Sequence, residues 1–174
     1  MARPTLEPAL SEASLVGRLR ALAAAPARGA VAEGAAAGGG VAVIDEHGVV
    51  DHGELWAESI ALAARLGGPL GGRPVALLAP PGRGWVAAFF GILLAGGVVL
   101  PLSPLHPEAE VRYFVADSGA RLALVDLDAF AERASWLEPA RVVRLGGEAS
   151  EGGGTEAEAA GAGLSPGGEA AGLA

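Results

Sequence analysis

Residues 75–104 read VALLAPPGRGWVAAFFGILLAGGVVLPLSP, and the way prolines and glycines punctuate this apolar stretch decides the fold. Val75–Ala79 is a short hydrophobic run suited to a strand buried on both faces, and Pro80-Pro81-Gly82 ends it. Trp85–Ala95 then fits about three turns of helix with no charge on any side. Gly96-Gly97 closes that helix, because glycine accepts the left-handed cap. Val98–Leu100 opens a second strand and Pro101 marks its C-terminal edge. A strand, a crossover helix and a strand of these lengths form a parallel βαβ unit, right-handed by the general rule. A helix apolar all round has to be covered on both sides.

Two other readings compete for the same residues. Trp85 to Leu102 is a run of 18 uncharged residues, at the lower edge of what crosses a bilayer, and so a single membrane span is one alternative. The Gly-Gly pair, Pro101 and the β-branched valines speak against it. The second alternative is a small dinucleotide-binding domain. Gly82-Arg83-Gly84-Trp85-Val86-Ala87 matches G-x-G-x-x-G/A between a strand and a helix, where free N–H groups and the helix dipole favour a pyrophosphate. Two prolines interrupt the required strand-to-glycine junction, and no acidic residue ends Val98–Leu102 to hold a ribose.

The chain has 174 residues, enough for one domain with a core of its own plus tails. Its formal charge of −8 argues against binding to nucleic-acid phosphates. It contains no cysteine, which excludes disulfides and thiolate metal sites. Lysine is also absent, so no reaction that needs a lysine can be run by this chain alone. The first residues carry Pro4, Glu7 and Pro8 and not a basic segment followed by an apolar one, which makes the cytoplasm the default location.

Upstream of the central unit, Ser14–Ala25 reads as an amphipathic helix with Leu15, Leu19 and Leu22 on one stripe, stopped by Pro26. The Ala/Gly-rich stretch 26–40 reads as a flexible connector. Val41–Ile44 and Val49–Val50 flank Asp45-Glu46-His47-Gly48, a hairpin turn with glycine where φ is positive. Asp45, His47, Asp51 and His52 crowd this turn, but hairpin turns collect such residues and the sequence shows no third metal ligand. Glu54–Leu66 is a surface helix. Leu55, Trp56, Ile60, Leu62 and Leu66 form its docking side, opposite an arc of Glu54, Glu58 and Arg65.

Downstream, Pro107 suits a first helical position, with Glu108 and Glu110 near the positive end of the dipole and Glu108–Arg112 spaced as an ion pair. Val111, Phe114 and Val115 face inward, Ser118-Gly119 ends the helix, and Leu122–Val125 is a third buried strand. His106 has the position of a general base near a strand end, but with no partner in view it reads as a residue of the helix start. Leu127–Leu137 is a short helix and Arg141–Leu145 a fourth strand. From Gly146 onward, glutamates sit in Gly, Ala and Ser with almost nothing to bury, the composition of a mobile tail.

The succession of these segments resembles the N-terminal part of the adenylate-forming superfamily, the AMP-dependent acyl-CoA synthetases and the adenylation domains of peptide synthetases. Val50-Asp51-His52-Gly53-Glu54-Leu55 looks like the family's L-T-Y-x-E-L, with Tyr and Thr replaced. Leu94-Ala95-Gly96-Gly97-Val98-Val99-Leu100-Pro101-Leu102-Ser103-Pro104 looks like L-K-A-G-x-x-x-x-P-L-x-P without its lysine. Arg73–Leu78, Trp85–Leu93, Pro107–Tyr113 and Asp117–Leu122 continue in register, so that the resemblance covers about residues 10–146.

The resemblance implies a layered α/β fold with a largely parallel sheet flanked by helices, and a β-hairpin near residues 41–52. The implied organisation is a tail at 1–13, an α/β subdomain at 14–146 and an acidic Gly/Ala-rich tail at 147–174. The parent reaction joins a carboxylate to ATP as an acyl-adenylate and then makes a thioester, which implies ATP, Mg and CoA for the family. The Ser/Thr/Gly-rich phosphate loop ending in Pro-Lys-Gly and the C-terminal catalytic lysine have no counterpart here. The resemblance therefore implies no catalytic, cofactor-binding or metal residue in this chain and no cofactor bound by it alone. It also implies inactivity in isolation, with a separate chain carrying the remaining ligase domains as a possible partner, and no nucleic-acid or membrane partner.

Overall fold

A computed structural model describes residues 11–25 and 40–145. The connector expected at 26–40 lies outside these residues apart from Gly40, and so do both tails apart from residues 11–13. The order of elements is α1 (Leu15–Ala23), β1 (Val41–Asp45), β2 (Gly48–Asp51), α2 (His52–Arg65), β3 (Pro74–Leu78), α3 (Arg83–Leu94), β4 (Val98–Pro101), α4 (Glu108–Ser118), β5 (Leu122–Asp126), α5 (Leu127–Phe130), a 3-10 turn (Ala131–Leu137) and β6 (Arg141–Leu145).

The expected βαβ unit is present as β3–α3–β4, and α3 stops at Leu94. The single-span alternative is therefore corrected: Gly97 N–H closes onto the Ile92 carbonyl at 2.9 Å and the chain turns back into β4. Among the described residues no helix is long and apolar enough to cross a membrane. The two glycines of that turn do different work. Gly96 takes φ +72° with open space around it, whereas a Cβ on Gly97 would lie 2.7 Å from Leu70 Cδ1. Pro101 is the last paired residue of β4, opposite Leu77, and its missing N–H is tolerated because β4 lies at the edge.

The four strands form a parallel sheet in the order β4-β3-β5-β6, and β1-β2 is a separate antiparallel hairpin. Alternation along the strands divides the core. Val75, Leu77, Leu122 and Leu124 face α2, α3 and the hairpin, whereas Ala76, Leu78, Ala123 and Val125 face α4, Leu102 and Leu137. Both faces are covered, which is why β3 and β5 read as continuous apolar runs.

Helix α2 packs on α3 through small residues. A Cβ on Gly91 would lie 3.0 Å from Leu62 Cβ and 3.1 Å from the Ser59 carbonyl oxygen, so that glycine is what allows the approach. Ser59 is fully buried there, its hydroxyl donating to the Leu55 carbonyl at 2.7 Å. The docking side of α2 is therefore Leu55, Ser59, Leu62 and Leu66, and Ile60, expected on it, is 47% exposed. The face of α1 is displaced in the same sense: Val16 and Leu19 are buried, while Leu15 and Leu22 are exposed. Helical spacing limits the width of an apolar arc, but the neighbour decides which part of the arc is covered.

The segment expected as one helix at Leu127–Leu137 breaks at Phe130, where φ −138° and ψ 35° end α5 and start the 3-10 turn. Arg133 fixes the break: its guanidinium lies 5.5 Å from the Phe130 ring and 5.0 Å from that of Trp136, and donates to the Pro104 carbonyl. Pro107 stands one position before α4 as its N-cap, and Glu108 pairs with Arg112 at 2.7 Å.

Candidate functional site

From β3 the chain passes through α3 to β4 on one side, then crosses back through α4 to β5 on the other side and continues outward to β6. The segment leaving β3 goes to one face of the sheet and the segment leaving β5 to the other. Such a reversal opens a crevice beyond the strand C-termini, the usual ligand position in open α/β sheets. Here it has a volume of about 1080 Å³ and is bounded by the hairpin tip, α2, the turn 79–84, Asp126 to Ala129 and Leu145.

Apart from Glu46, the carboxylates and guanidinia lining the crevice are engaged with the protein itself. Asp45, at the hairpin tip, accepts from the main-chain N–H of His47 at 2.9 Å through Oδ1 and from that of Arg83 at 2.8 Å through Oδ2. The Arg83 guanidinium pairs with Glu58 of α2. Asp126 caps α5 by accepting from the N–H groups of Asp128 and Ala129 at 3.0 and 3.1 Å. Asp128 pairs with Arg144, whose carbonyl accepts from Arg65. No buried side-chain polar atom among the described residues lacks a partner.

This geometry overturns the dinucleotide alternative at Gly82–Ala87. The N-cap Gly82 supplies no side-chain cap, and the place of an anion at the start of α3 is taken by the Asp45 carboxylate. A pyrophosphate would meet a negative charge where it needs free N–H groups. Gly84 gives no special approach either, since a Cβ there would touch Leu145 Cδ2 at an ordinary 3.7 Å. Trp85 stacks on Phe89 with ring centroids 5.5 Å apart.

Of the residues crowding the hairpin turn, Asp45 and His47 stay together, with His47 Nδ1 3.8 Å from Asp45 Oδ1, whereas Asp51 and His52 are engaged elsewhere. Asp45 also reaches α3. Asp51 accepts from Glu54 N–H at 2.8 Å in a capping box on α2, and His52 Nδ1 lies 2.8 Å from the Gly40 carbonyl. His47 is exposed, and no group of three metal-ligating side chains occurs among the described residues. His106 takes the helix-start role: Ser103 N–H donates to its Nδ1 at 3.3 Å, and its ring lies 5.2 Å from that of Phe114.

A bound triphosphate fits this crevice poorly. Its lining carries the carboxylates of Asp45, Glu46, Glu58, Asp126 and Asp128 against the guanidinia of Arg65 and Arg83, the latter already paired with Glu58. No step of nucleotide chemistry is derived from these residues. Sequence reading missed the contacts between Asp45 and Arg83 and between Glu58 and Arg83. Only the polar arc of Glu54, Glu58 and Arg65 on α2 hinted that this side faced something.

The bond from Arg83 N–H, foremost, holds the Asp45 carboxyl below its ordinary range, and the His47 N–H adds to it. A carboxyl lowered in the folded state contributes stability above its unfolded pKa, and that contribution is lost as pH falls through the folded value. Urea unfolding midpoints should therefore drop on acidification below the ordinary carboxylate range by less in Asp45→Asn than in the parent chain. Equal drops would refute the assignment.

Comparison with known proteins agrees with this fold. The family model described as "AMP-binding enzyme" matches residues 32–162. A mycosubtilin synthase chain of Bacillus subtilis is 36% identical over 87 residues, covering 49% of this chain and 3% of that protein. Zwittermicin A synthase ZmaJ of Bacillus cereus is 40% identical over 86 residues, covering 48% of this chain and 16% of that protein. The crystal structure of apo MatB from Rhodopseudomonas palustris superposes with a TM-score of 0.52 at 25% identity, covering 61% of this chain and 22% of MatB. This chain thus spans a small part of the length of each relative. With a family model matched over most of its length and a parallel sheet wound as in a solved relative, the chain belongs to the AMP-binding enzyme family, of which it represents an N-terminal α/β portion.

Proposed function

We propose that this chain is the N-terminal scaffold of an AMP-forming acyl-CoA synthetase-like ligase, and that the adenylation chemistry resides in parts of such a ligase outside it. The parent reaction is attack of a carboxylate on ATP to give an acyl-adenylate and pyrophosphate, followed by thioester formation, with ATP, Mg and CoA as its reactants and ion. The carrying observation is that every carboxylate and guanidinium around the crevice except Glu46 is bound to another group of the chain, in a sequence without lysine. Such a crevice positions elements against one another: among its described residues Arg83 is paired with Glu58 and Arg65 is tied to the Arg144 carbonyl, against five carboxylates that would repel a polyphosphate. A separate chain carrying the remaining ligase domains is the proposed partner, and the cytoplasm, where ATP and CoA are available, the proposed location.

ATP–pyrophosphate exchange tests the proposal. The chain alone, offered ATP, Mg and a panel of aliphatic, aromatic and amino-acid carboxylates, should show no exchange above a protein-free control. Robust exchange with any of them would refute it.

A further inference from the structure

The β1–β2 hairpin is held differently at its two ends. At its base Val50 is buried in the core, Asp51 caps α2, and His52 N–H donates to the Gly40 carbonyl at 3.2 Å. Toward the tip, the cross-strand pair Ile44 and Val49 is 72% and 55% exposed, and Ala42 and Val43 give only a partly buried apolar underside. The polar tie from the tip to the α/β layer is Asp45, which reaches the N–H of Arg83, 38 residues away. Helix α3 begins at a glycine with no side-chain cap of its own, so its cap is supplied by the hairpin. An isolated two-stranded hairpin is marginal in water, so its closed position depends on what fastens it.

We propose that the hairpin tip is a flap over the crevice at the sheet's C-terminal edge, latched by the Asp45 carboxylate on the start of α3 and able to open without unfolding the sheet. Residues 43–47 form one lip of that crevice, and Asp126 to Ala129 belong to the opposite lip. Opening exposes the Arg83 N–H and widens access to the turn 79–84, whereas β3 and β5 keep their own ladder.

Amide hydrogen exchange followed by NMR on the full chain at neutral pH tests the latch. Asp45→Ala removes the acceptor of both the His47 and the Arg83 N–H, and the amides of residues 44–49 and of Arg83 should exchange about tenfold faster than in the parent, the scale of losing the charge-assisted bond that joins the tip to α3. The amides of Leu77 and Leu124 should keep their protection. Asp45→Asn, which retains an oxygen acceptor, should give a smaller acceleration at the same amides, and it carries the test if the alanine variant does not fold. Arg83→Ala removes the pairing with Glu58 but keeps the main-chain donor, and should leave the hairpin at parental rates. Uniform acceleration of hairpin and sheet in the Asp45 variants, no acceleration at the tip, or equal loss in Arg83→Ala would each overturn the proposal.

Discussion

Leu77→Ala is expected to lower the unfolding free energy by about 2–5 kcal/mol, the range for truncating a large buried aliphatic side chain. Leu77 is fully buried in β3, between β4 and β5, and its side chain lies under α2 and α3. Neighbours on all sides are held by the sheet ladder and by the glycine-mediated contact between α2 and α3, so the cavity cannot collapse cheaply. Ile60→Ala is the control. Ile60 is 47% exposed on α2, and its truncation should change stability by no more than about 0.5 kcal/mol. Urea titration of the two variants, fitted with a common slope, separates the alternatives. Similar losses in both would mean that Ile60 sits on the docking side, as its position on the helix first suggests, and that the observed packing of α2 is wrong.

That contrast marks the boundary of what the sequence makes legible. Strands β3 and β5 and the ends of α3 are readable because buried parallel strands need unbroken apolar runs and because Pro80, Gly82, Gly96 and Gly97 punctuate the chain around α3. The hairpin is readable for the same local reason, with Gly48 at φ 127°. Which part of an amphipathic helix is covered depends on a partner that local spacing does not name. Ile60 is large and apolar, yet the contact goes to Ser59, because a small residue opposite Gly91 lets two helices approach more closely than a branched one does. At the crevice, the composition of the Asp45 turn suggests turn chemistry, and Asp45 Oδ1 does accept from the His47 N–H within the turn. That its carboxylate crosses to α3 follows from tertiary placement across 38 residues. The G-x-G-x-x-A match at Gly82–Ala87 misleads for the same reason, since a motif records residue types and leaves open whether the helix start is already occupied.

Gly91→Val should be the second severe substitution, with a loss of about 1–3 kcal/mol from overpacking. A single Cβ at this position already comes within 3.0 Å of Leu62 Cβ, 3.1 Å of the Ser59 oxygen and 3.3 Å of the Ala63 nitrogen. Alanine adds that one atom, and its strain is opposed by the roughly 1 kcal/mol by which alanine exceeds glycine in a helix. Gly91→Ala should therefore fall well short of the valine loss. Valine adds two further carbons, which forces α3 away from α2 and puts strain on the pairing of Arg83 with Glu58 at the crevice. Two of the three nearest atoms are main chain and the third is a Cβ that alanine also carries, so Leu62→Ala should not rescue Gly91→Val. A double-mutant cycle by urea unfolding measures this directly. Recovery of most of the lost stability in the double variant would show that the Leu62 side chain beyond Cβ, and not the closeness of the two backbones, sets the distance between the helices.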